Sequence, residues 1–264
     1  MLTVLICMMG ATAALWLQLR FNLFSPRIKG LPVLMYHKVS EDYVSGTSVT
    51  IRQLGRQFDY LVRNNYSPIR LADLLNPGFT MPKNPILITF DDGYLNNFEL
   101  LYPMLIKYRL KASIMLPVNH IGLHSSWETE QPLPLMDYHH LLRMANDLIE
   151  FSLHSFDHSS YKTLTPEEVS KDLDDCFRVL NDNNIPFVPV LAYPYGAYPR
   201  KQPEKNLFFL LLQEKGIRMG LRIGNRINRL PINNPYEVKR IDIKGTDSFW
   251  SFKTKLKKGR VSMF

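Results

Sequence analysis

The chain has 264 residues, of which 45% are hydrophobic and 21% are charged. This length suits a single α/β domain, and the composition excludes both a disordered chain and a protein with many membrane spans. The formal charge of +8 favours anionic surfaces, but no nucleic-acid-binding motif accompanies it, so we expect no nucleic-acid partner.

The N-terminal segment is apolar. Residues 2–19 carry no charged side chain, and a stretch of this length is typical of a helix that spans a bilayer. A cleaved signal peptide is the alternative, but a positive n-region and a small-residue cleavage site are not clear here. We therefore predict a single-pass membrane anchor over residues 1–20 and a linker over residues 21–30.

The orientation of this anchor is a conflict between two signals. Basic residues follow the apolar segment, and by the positive-inside rule they favour a cytoplasmic domain. The opposite orientation places the domain outside the cytoplasm. We predict a membrane-anchored protein with the domain outside the cytoplasm, and a cytoplasmic domain stays the alternative.

Beyond the linker, the hydrophobic pattern predicts strands that alternate with helices. The predicted strands cover residues 31–36, 85–90, 111–117, 149–153, 187–192, 218–223 and 238–243. The predicted helices begin near residues 51, 98, 137, 165 and 205. This alternation predicts a parallel sheet or barrel over residues 31–248, with functional residues at the carboxyl ends of the strands.

The first polar cluster is Asp91-Asp92-Gly93, which follows a buried strand. Adjacent carboxylates repel each other, so two at the mouth of a strand favour a nearby cation. Gly93 permits a sharp turn there. An acidic first turn of a helix is the alternative explanation.

The second polar cluster contains His154 and His158, which are four residues apart. On a helical turn both imidazoles lie on one face and can reach one divalent ion. Two histidines and one carboxylate leave positions open for water and substrate, which is typical of a catalytic metal site. His120 and His124 share the spacing, but no acidic cluster precedes them, and we interpret them as surface or loop residues.

The third cluster is Tyr193-Pro194-Tyr195-Gly196, which follows another predicted strand. Proline and glycine impose an irregular backbone that can direct an amide N–H at an oxyanion. An ordinary turn is the alternative explanation.

The order of the motifs resembles that of the polysaccharide deacetylases of carbohydrate esterase family 4. The motifs are Tyr-His after the first strand, Thr-Phe-Asp-Asp-Gly, His-Ser-x-x-His and Tyr-Pro-Tyr-Gly. The resemblance covers residues 31–245 and is strongest to the branch that acts on poly-N-acetylglucosamine. It implies a NodB-like α/β fold, a deformed (β/α) barrel with fewer than eight strands, here preceded by the predicted membrane-spanning helix.

The resemblance also implies roles for site residues. Asp91 would be the general base, and Asp92, His154 and His158 would bind one divalent metal, with Zn expected and Co, Ni or Fe as alternatives. The amide of Tyr195 would complete the oxyanion hole. Pro194, Tyr195 and Tyr193 would contact the substrate. The implied reaction is hydrolysis of N-acetyl groups on an amino-sugar polysaccharide.

Two departures from the family pattern are visible. Ala192 stands where the family often has an arginine that orients the base. The family also commonly has a late histidine that protonates the leaving amine, yet all seven histidines here lie at or before residue 158. Protonated Asp91 or His37 are the candidates for that role.

These departures leave two alternatives open. One is a deacetylase or deformylase of a lipid-linked amino sugar, which the predicted anchor and positive charge favour. The other is a barrel that binds a glycan without cleaving it, which the missing arginine and histidine favour.

Residues 249–264 combine aromatic and basic side chains. We predict a tail outside the domain, either solvated and frayed or in contact with anionic lipid. Its aromatic and basic residues are Phe249, Trp250, Phe252, Lys253, Lys255, Lys257, Lys258 and Arg260.

Overall fold

The computed structural model describes residues 2–21, 28–128 and 132–261. The strands within these ranges are β1 Val33–Tyr36, β2 Lys38–Ser40, β3 Ser48–Thr50, β4 Ser67–Pro68, β5 Pro85–Asp91, β6 Ala112–Leu116, β7 Ile149–Leu153, β8 Phe187–Ala192, β9 Met219–Ile223 and β10 Val238–Asp242. The α-helices are α1 Leu2–Phe21, α2 Ile51–Arg63, α3 Leu71–Leu75, α4 Tyr102–Tyr108, α5 Tyr138–Met144, α6 Pro166–Asp182, α7 Glu204–Glu214 and α8 Phe249–Lys258.

Seven parallel strands close into a barrel in the order β1-β5-β6-β7-β8-β9-β10. Closure occurs because β1 pairs with both β5 and β10. The short strand β4 pairs with the start of β5 and lies outside the ring. The predicted parallel barrel with fewer than eight strands is therefore confirmed.

Side chains alternate between the two faces of the barrel wall, as the period of a strand requires. One set forms a cluster inside the barrel that includes Val33, Leu87, Met115, Leu221 and Val238. The neighbouring residues of the opposite parity pack outwards in the larger core beneath the helices. The carboxyl end of the barrel interior is left for polar residues.

The predicted elements of the barrel are present, with boundaries that differ by one or two residues. The capping box at the start of α6 is also present: Thr165 Oγ1 accepts from the amide of Glu168 at 3.3 Å, and Glu168 Oε2 accepts from the amide of Thr165 at 2.8 Å. The helix predicted from residue 98 starts as a π-helical turn, Asn97–Leu101, before α4. The sequence pattern missed β2, β3, β4 and α3, which are all five residues or shorter.

The N-terminal prediction is supported only in part. Residues 2–21 are helical, but among the residues that the structure describes no helix combines the length and apolar character needed to cross a bilayer. The predicted membrane span is therefore not supported. Most of the predicted linker, residues 22–27, lies outside the described residues.

The C-terminal segment is part of the folded domain at least as far as Lys258. Helix α8 buries Phe252 and Leu256 completely or nearly so, and the Phe249 ring packs edge-on against Tyr60 of α2 at 5.8 Å between centroids. Lys255 pairs with Asp247 at 2.6 Å. These contacts contradict a frayed tail, because the helix covers apolar surface of the barrel core. Residues 262–264 lie outside the described residues.

Candidate metal centre and catalytic cleft

The three polar clusters meet at the carboxyl end of the barrel, because each follows a different strand of the same ring. Asp91 is the last residue of β5, His154 follows β7, and Tyr195 lies three residues after β8. His37 follows β1 directly. Parallel strands deliver their ends to one side of a barrel, so residues distant in the chain share one cleft.

The backbone of the site is held in an unusual conformation. Eight non-glycine residues among those described have positive φ, and four of them lie here: Asp92 (φ 74), Ser155 (φ 66), His158 (φ 55) and Tyr195 (φ 57). Such conformations cost about 1–3 kcal/mol each and concentrate at functional sites. Gly93 (φ +63) completes the turn after β5, where a Cβ would lie 2.8 Å from a methyl group of Leu116.

Asp92, His154 and His158 form a compact buried cluster whose candidate ligand atoms all lie within 4.8 Å of one another. Asp92 Oδ1 is 3.4 Å from His154 Nε2 and 3.2 Å from His158 Nε2. Neither contact has hydrogen-bond geometry, so this buried oxygen has no hydrogen-bond partner among the described residues. A buried carboxylate oxygen facing two imidazole nitrogens fits a divalent cation, and the predicted ligand set is brought together.

The far side of each imidazole is occupied. His154 Nδ1 lies 2.8 Å from the carbonyl oxygen of Ala192, and His158 Nδ1 lies 3.0 Å from the Tyr195 hydroxyl. A partner on Nδ1 leaves Nε2 to face the ligand position, as in most histidine metal sites. Burial lowers the pKa of His154 to about 4, which keeps that ring neutral.

Asp91 is held by Arg240, a residue that sequence reasoning missed. Arg240 Nη1 donates to Oδ1 at 2.5 Å and Nη2 donates to Oδ2 at 2.8 Å, and both residues are buried. Burial alone would raise the pKa of Asp91, but Arg240, with lesser contributions from His154 and His37, lowers it below its ordinary value. The candidate base is therefore ionised and oriented.

Arg240 thus supplies, from another strand, the arginine that the family often has at the position of Ala192. No local motif marks Arg240, which lies in β10 and reaches Asp91 only because the barrel closes. The only sequence signal for Arg240 was its position in the strand. It lies two residues after Val238, which points into the barrel, and residues two apart on a strand share a face.

His37 lies near the candidate base. Its Nε2 atom is 4.0 Å from Asp91 Oδ2, and its side chain is 18% exposed. It lines a cavity of about 340 Å³ together with Asp91, Asp92, His154 and His158. His37 is therefore close to the candidate base, and its partial exposure gives it access to the cleft.

The three predicted substrate contacts in the Tyr-Pro-Tyr-Gly loop have different environments. Tyr195 is 62% exposed and stands at the rim of the cleft. Pro194 is buried. Tyr193 is fully buried and donates its hydroxyl to the carbonyl of Tyr236 at 3.0 Å. The Tyr193 side chain therefore packs in the core, and Tyr193 is also among the residues that line the cleft, so its substrate contact stays a prediction.

The cleft has a second aromatic wall that the sequence analysis did not identify. The Trp127 ring stacks on the His158 ring, with centroids 4.1 Å apart and planes 17° apart. The next residue, Glu128, accepts from Lys38 Nζ at 2.8 Å and from the Tyr94 hydroxyl at 2.7 Å. These two bonds tie the segment that carries Trp127 to the rim of the barrel.

Helix α6 supports the histidine cluster from below. Asp172 Oδ1 accepts from the amide of Phe156 at 2.9 Å, and its other oxygen accepts from the Tyr161 hydroxyl. Asp172 is 8% exposed. It fixes the turn between His154 and His158, so the spacing of the two imidazoles depends on a residue outside the motif.

A closed parallel barrel with an Asp-His-His cluster at the strand ends defines the class of α/β barrels that carry a candidate metal site. Residues 79–206 match the family model for polysaccharide deacetylase. Over these residues the chain has the sequence pattern of a polysaccharide deacetylase domain.

Two curated relatives are similar in sequence. YxkH of Bacillus subtilis strain 168, which bears the name of this family, is 31% identical over 176 residues, or 64% of this chain and 57% of its own length. The poly-β-1,6-N-acetyl-D-glucosamine N-deacetylase of Staphylococcus aureus strain MSSA476 is 25% identical over 219 residues, or 78% of this chain and 71% of its own.

A solved structure shares the fold. The deacetylase PplD of Streptococcus pyogenes, solved in complex with acetate, superposes with a TM-score of 0.69 over 89% of this chain and 100% of its own length. The two sequences are 18% identical in this alignment, so the similarity shows the architecture alone.

Proposed function

We propose that this chain is a metal-dependent hydrolase that removes N-acetyl groups from an N-acetylamino-sugar polysaccharide of the poly-N-acetylglucosamine type. The observation that carries the proposal is the arrangement of Asp91, an ionised carboxylate held by Arg240, beside the Asp92-His154-His158 cluster in one cleft. The similarity to a named poly-N-acetylglucosamine deacetylase supports the substrate class.

Asp92, His154 and His158 would hold one divalent cation, with Zn expected from two imidazoles and one carboxylate. Bound there, the cation would polarise the acetyl carbonyl and make water more acidic. Three protein ligands leave room for water and substrate, which a catalytic site requires.

The chain's own residues supply the proton transfers. Asp91 accepts the proton of the attacking water, and Arg240 keeps its carboxylate aimed into the cleft. The Tyr195 amide stabilises the negative charge on the acetyl oxygen. When the carbon–nitrogen bond breaks, the sugar nitrogen gains a proton and leaves as an amine, and the acetyl group leaves as acetate.

His37 is our candidate for the proton donor to the leaving amine. It lies 4.0 Å from Asp91 and is partly exposed to the cleft. This assigns the role of the missing late histidine to a residue that follows β1. If His37 has this role and Arg240 orients the base, neither departure from the family pattern argues for a barrel that binds glycan without cleaving it.

Trp127 and Tyr195 flank the cluster and would give a sugar ring two aromatic surfaces. The cleft lies open at the barrel end rather than enclosed, which favours a polymer over a small free sugar. A lipid-linked amino sugar remains the alternative substrate, and the net charge of +8 favours it. Because the proposed substrate is a polysaccharide, we also propose that the domain lies outside the cytoplasm. Protease accessibility in intact cells would check this location.

The test combines metal analysis with release of free amine from poly-N-acetylglucosamine oligomers. We expect about one metal ion per chain and amine release that Asp91→Asn lowers by about 10²-fold or more. A parallel assay on a lipid-linked N-acetylamino sugar separates the two substrate classes. Absence of amine release from both substrates by the metal-loaded protein would overturn the proposal.

A further inference from the structure

The wall formed by β9 and β10 carries a cavity on its outer face. The connection between these strands, residues 224–237, contains one short 3-10 turn, Pro235–Glu237, and no α-helix. In contrast, the connections from β7 to β8 and from β8 to β9 carry α6 and α7. The uncovered strip of wall borders a cavity of about 560 Å³.

The cavity is separate from the catalytic cleft because strand residues alternate between faces. Arg222 and Lys239 are register partners in β9 and β10 and line the outer cavity. Their neighbours Ile223 and Arg240 are also partners and line the catalytic cleft. The two sites therefore lie on opposite sides of the same two strands.

Four cations line the outer cavity against one carboxylate. The cations are Arg222, Arg226, Arg229 and Lys239, and the carboxylate is Glu237. Glu237 is already engaged, because it accepts from the Tyr198 hydroxyl at 2.6 Å and from Lys205 Nζ at 3.1 Å. The positive charge of the cavity is therefore in excess.

Arg222 and Arg226 donate to backbone carbonyls rather than to carboxylates. Arg222 Nη1 donates to the carbonyl of Ile223 at 2.9 Å, and Arg226 Nη1 donates to the carbonyl of Asn225 at 3.1 Å. Arg222 Nε is buried and has no hydrogen-bond partner among the described residues. Burial and the like charge of Arg226 both lower the pKa of nearby Arg260.

The loop that carries Arg226 and Arg229 is fixed to the barrel. Asn228 exchanges backbone hydrogen bonds with Leu31 at 2.8 and 3.1 Å. Its side chain also bonds the backbone of Lys239 in both directions, at 2.8 and 2.9 Å. The cations are thus brought together by the fold, and their repulsion is not relieved by movement of the loop.

We propose that this cavity binds a phosphate-class anion, either free phosphate or the phosphate of a lipid headgroup. Guanidinium groups match phosphate oxygens through paired N–H donors. Four cations against one engaged carboxylate suit a multiply charged anion better than a monocarboxylate. The site is independent of the proposed deacetylase activity.

The first experiment is calorimetric titration of the full chain with inorganic phosphate at low ionic strength. Arg226→Gln with Arg229→Gln should weaken phosphate binding by about tenfold or more, since hydrogen bonds to charged groups are lost. The matched control is Arg52→Gln with Lys107→Gln, which removes two exposed charges on α2 and α4. The control should bind phosphate like the wild type, and both variants should keep amine release.

The second arm identifies the source of the phosphate. Binding to vesicles of phosphatidylglycerol is compared with binding to neutral phosphatidylcholine vesicles, which corrects for apolar contacts of α1. A gain on phosphatidylglycerol that the cavity pair loses and the control pair retains assigns a lipid headgroup. Phosphate binding without that gain assigns a soluble anion.

The proposal is overturned by either of two results. One is that neither inorganic phosphate nor phosphatidylglycerol binds in a saturable way. The other is that both charge-removing pairs change binding equally, which is the outcome for an ion bound at the metal centre or for diffuse surface charge.

Discussion

Arg240 clamps Asp91 with two hydrogen bonds of 2.5 and 2.8 Å across 149 positions of the chain. Arg240 is 1% exposed, so its charge is balanced by this carboxylate rather than by solvent. The pair places an ionised oxygen beside the candidate metal-binding side chains Asp92, His154 and His158. The orientation of Asp91 therefore depends on β10, a strand that carries none of the three polar clusters.

Arg240→Lys should lower kcat by about 10- to 100-fold, because a forked pair of charge-assisted hydrogen bonds becomes a single contact. The pKa of Asp91 is lowered in the native protein, and loss of one bond raises it. The acidic limb of the kcat/KM profile should therefore move to higher pH. Bound metal should not change.

The control for this variant is Arg218→Lys, since Arg218 is exposed just before β9 and bonds the carbonyl of Leu75. An acidic limb at the wild-type position in Arg240→Lys would refute the orienting role.

His154→Ala with His158→Ala should abolish stoichiometric metal and amine release while the chain stays folded. Removing two imidazoles leaves one carboxylate, Asp92, in the cluster. Metal content is measured by elemental analysis and the fold by circular dichroism. His139→Ala, an exposed histidine on α5, should keep both metal and activity. Full metal occupancy in the double variant would remove the basis for this site.

His37→Gln should reduce kcat by about 10²-fold or more, the usual scale for a lost general acid, with metal retained. The readout that separates this from a structural role is the split between turnover and binding: kcat should fall while KM and metal affinity keep their wild-type values. His124→Gln, a change at an exposed histidine outside the cleft, should leave kcat unchanged. Unchanged turnover in His37→Gln would return the role to Asp91.

Asp172→Ala should weaken metal affinity by about 10- to 100-fold, the scale seen when a group that orients a ligand is lost. Asp172 holds the turn between the two histidines through Phe156 and Tyr161. Asp172→Asn keeps one acceptor oxygen for the amide of Phe156 and should lose less. A metal-chelator competition assay measures the metal affinity. Equal affinity in the two variants would contradict a role for Asp172 in holding the turn between the two histidines.

Trp127 should report metal binding by fluorescence. Its ring stacks on His158 at 4.1 Å, so Co²⁺ at the cluster should quench its emission. Trp127→Phe should remove the Co²⁺-dependent change, whereas Trp250→Phe should keep it, because Trp250 lies on α8. Persistence of the quenching in Trp127→Phe would show that the stacked arrangement is not maintained in solution.

Much of the fold was predictable because its signals are local. Buried parallel strands appear as short apolar runs, and the capping box at Thr165 marks the start of α6 without reference to the rest of the chain. The elements β2, β3, β4 and α3 were not predicted, because segments of two to five residues are too short to show a period. The C-terminal helix was misjudged because its polar residues mask the burial of Phe252 and Leu256.

The sequence by itself predicted a cation site at two short motifs: residue type and spacing indicated His154 and His158, and the family resemblance added Asp92. Tertiary structure alone decided what orients the base, which tyrosine is buried, and which aromatic ring covers His158. Arg240, Tyr193 and Trp127 carry no local mark of these roles. Closure of the barrel and the alternation of side chains across its wall decide the roles of Arg240 and Tyr193. The position of Trp127 depends on Glu128, which bonds Lys38 and Tyr94, residues that the chain keeps far from it.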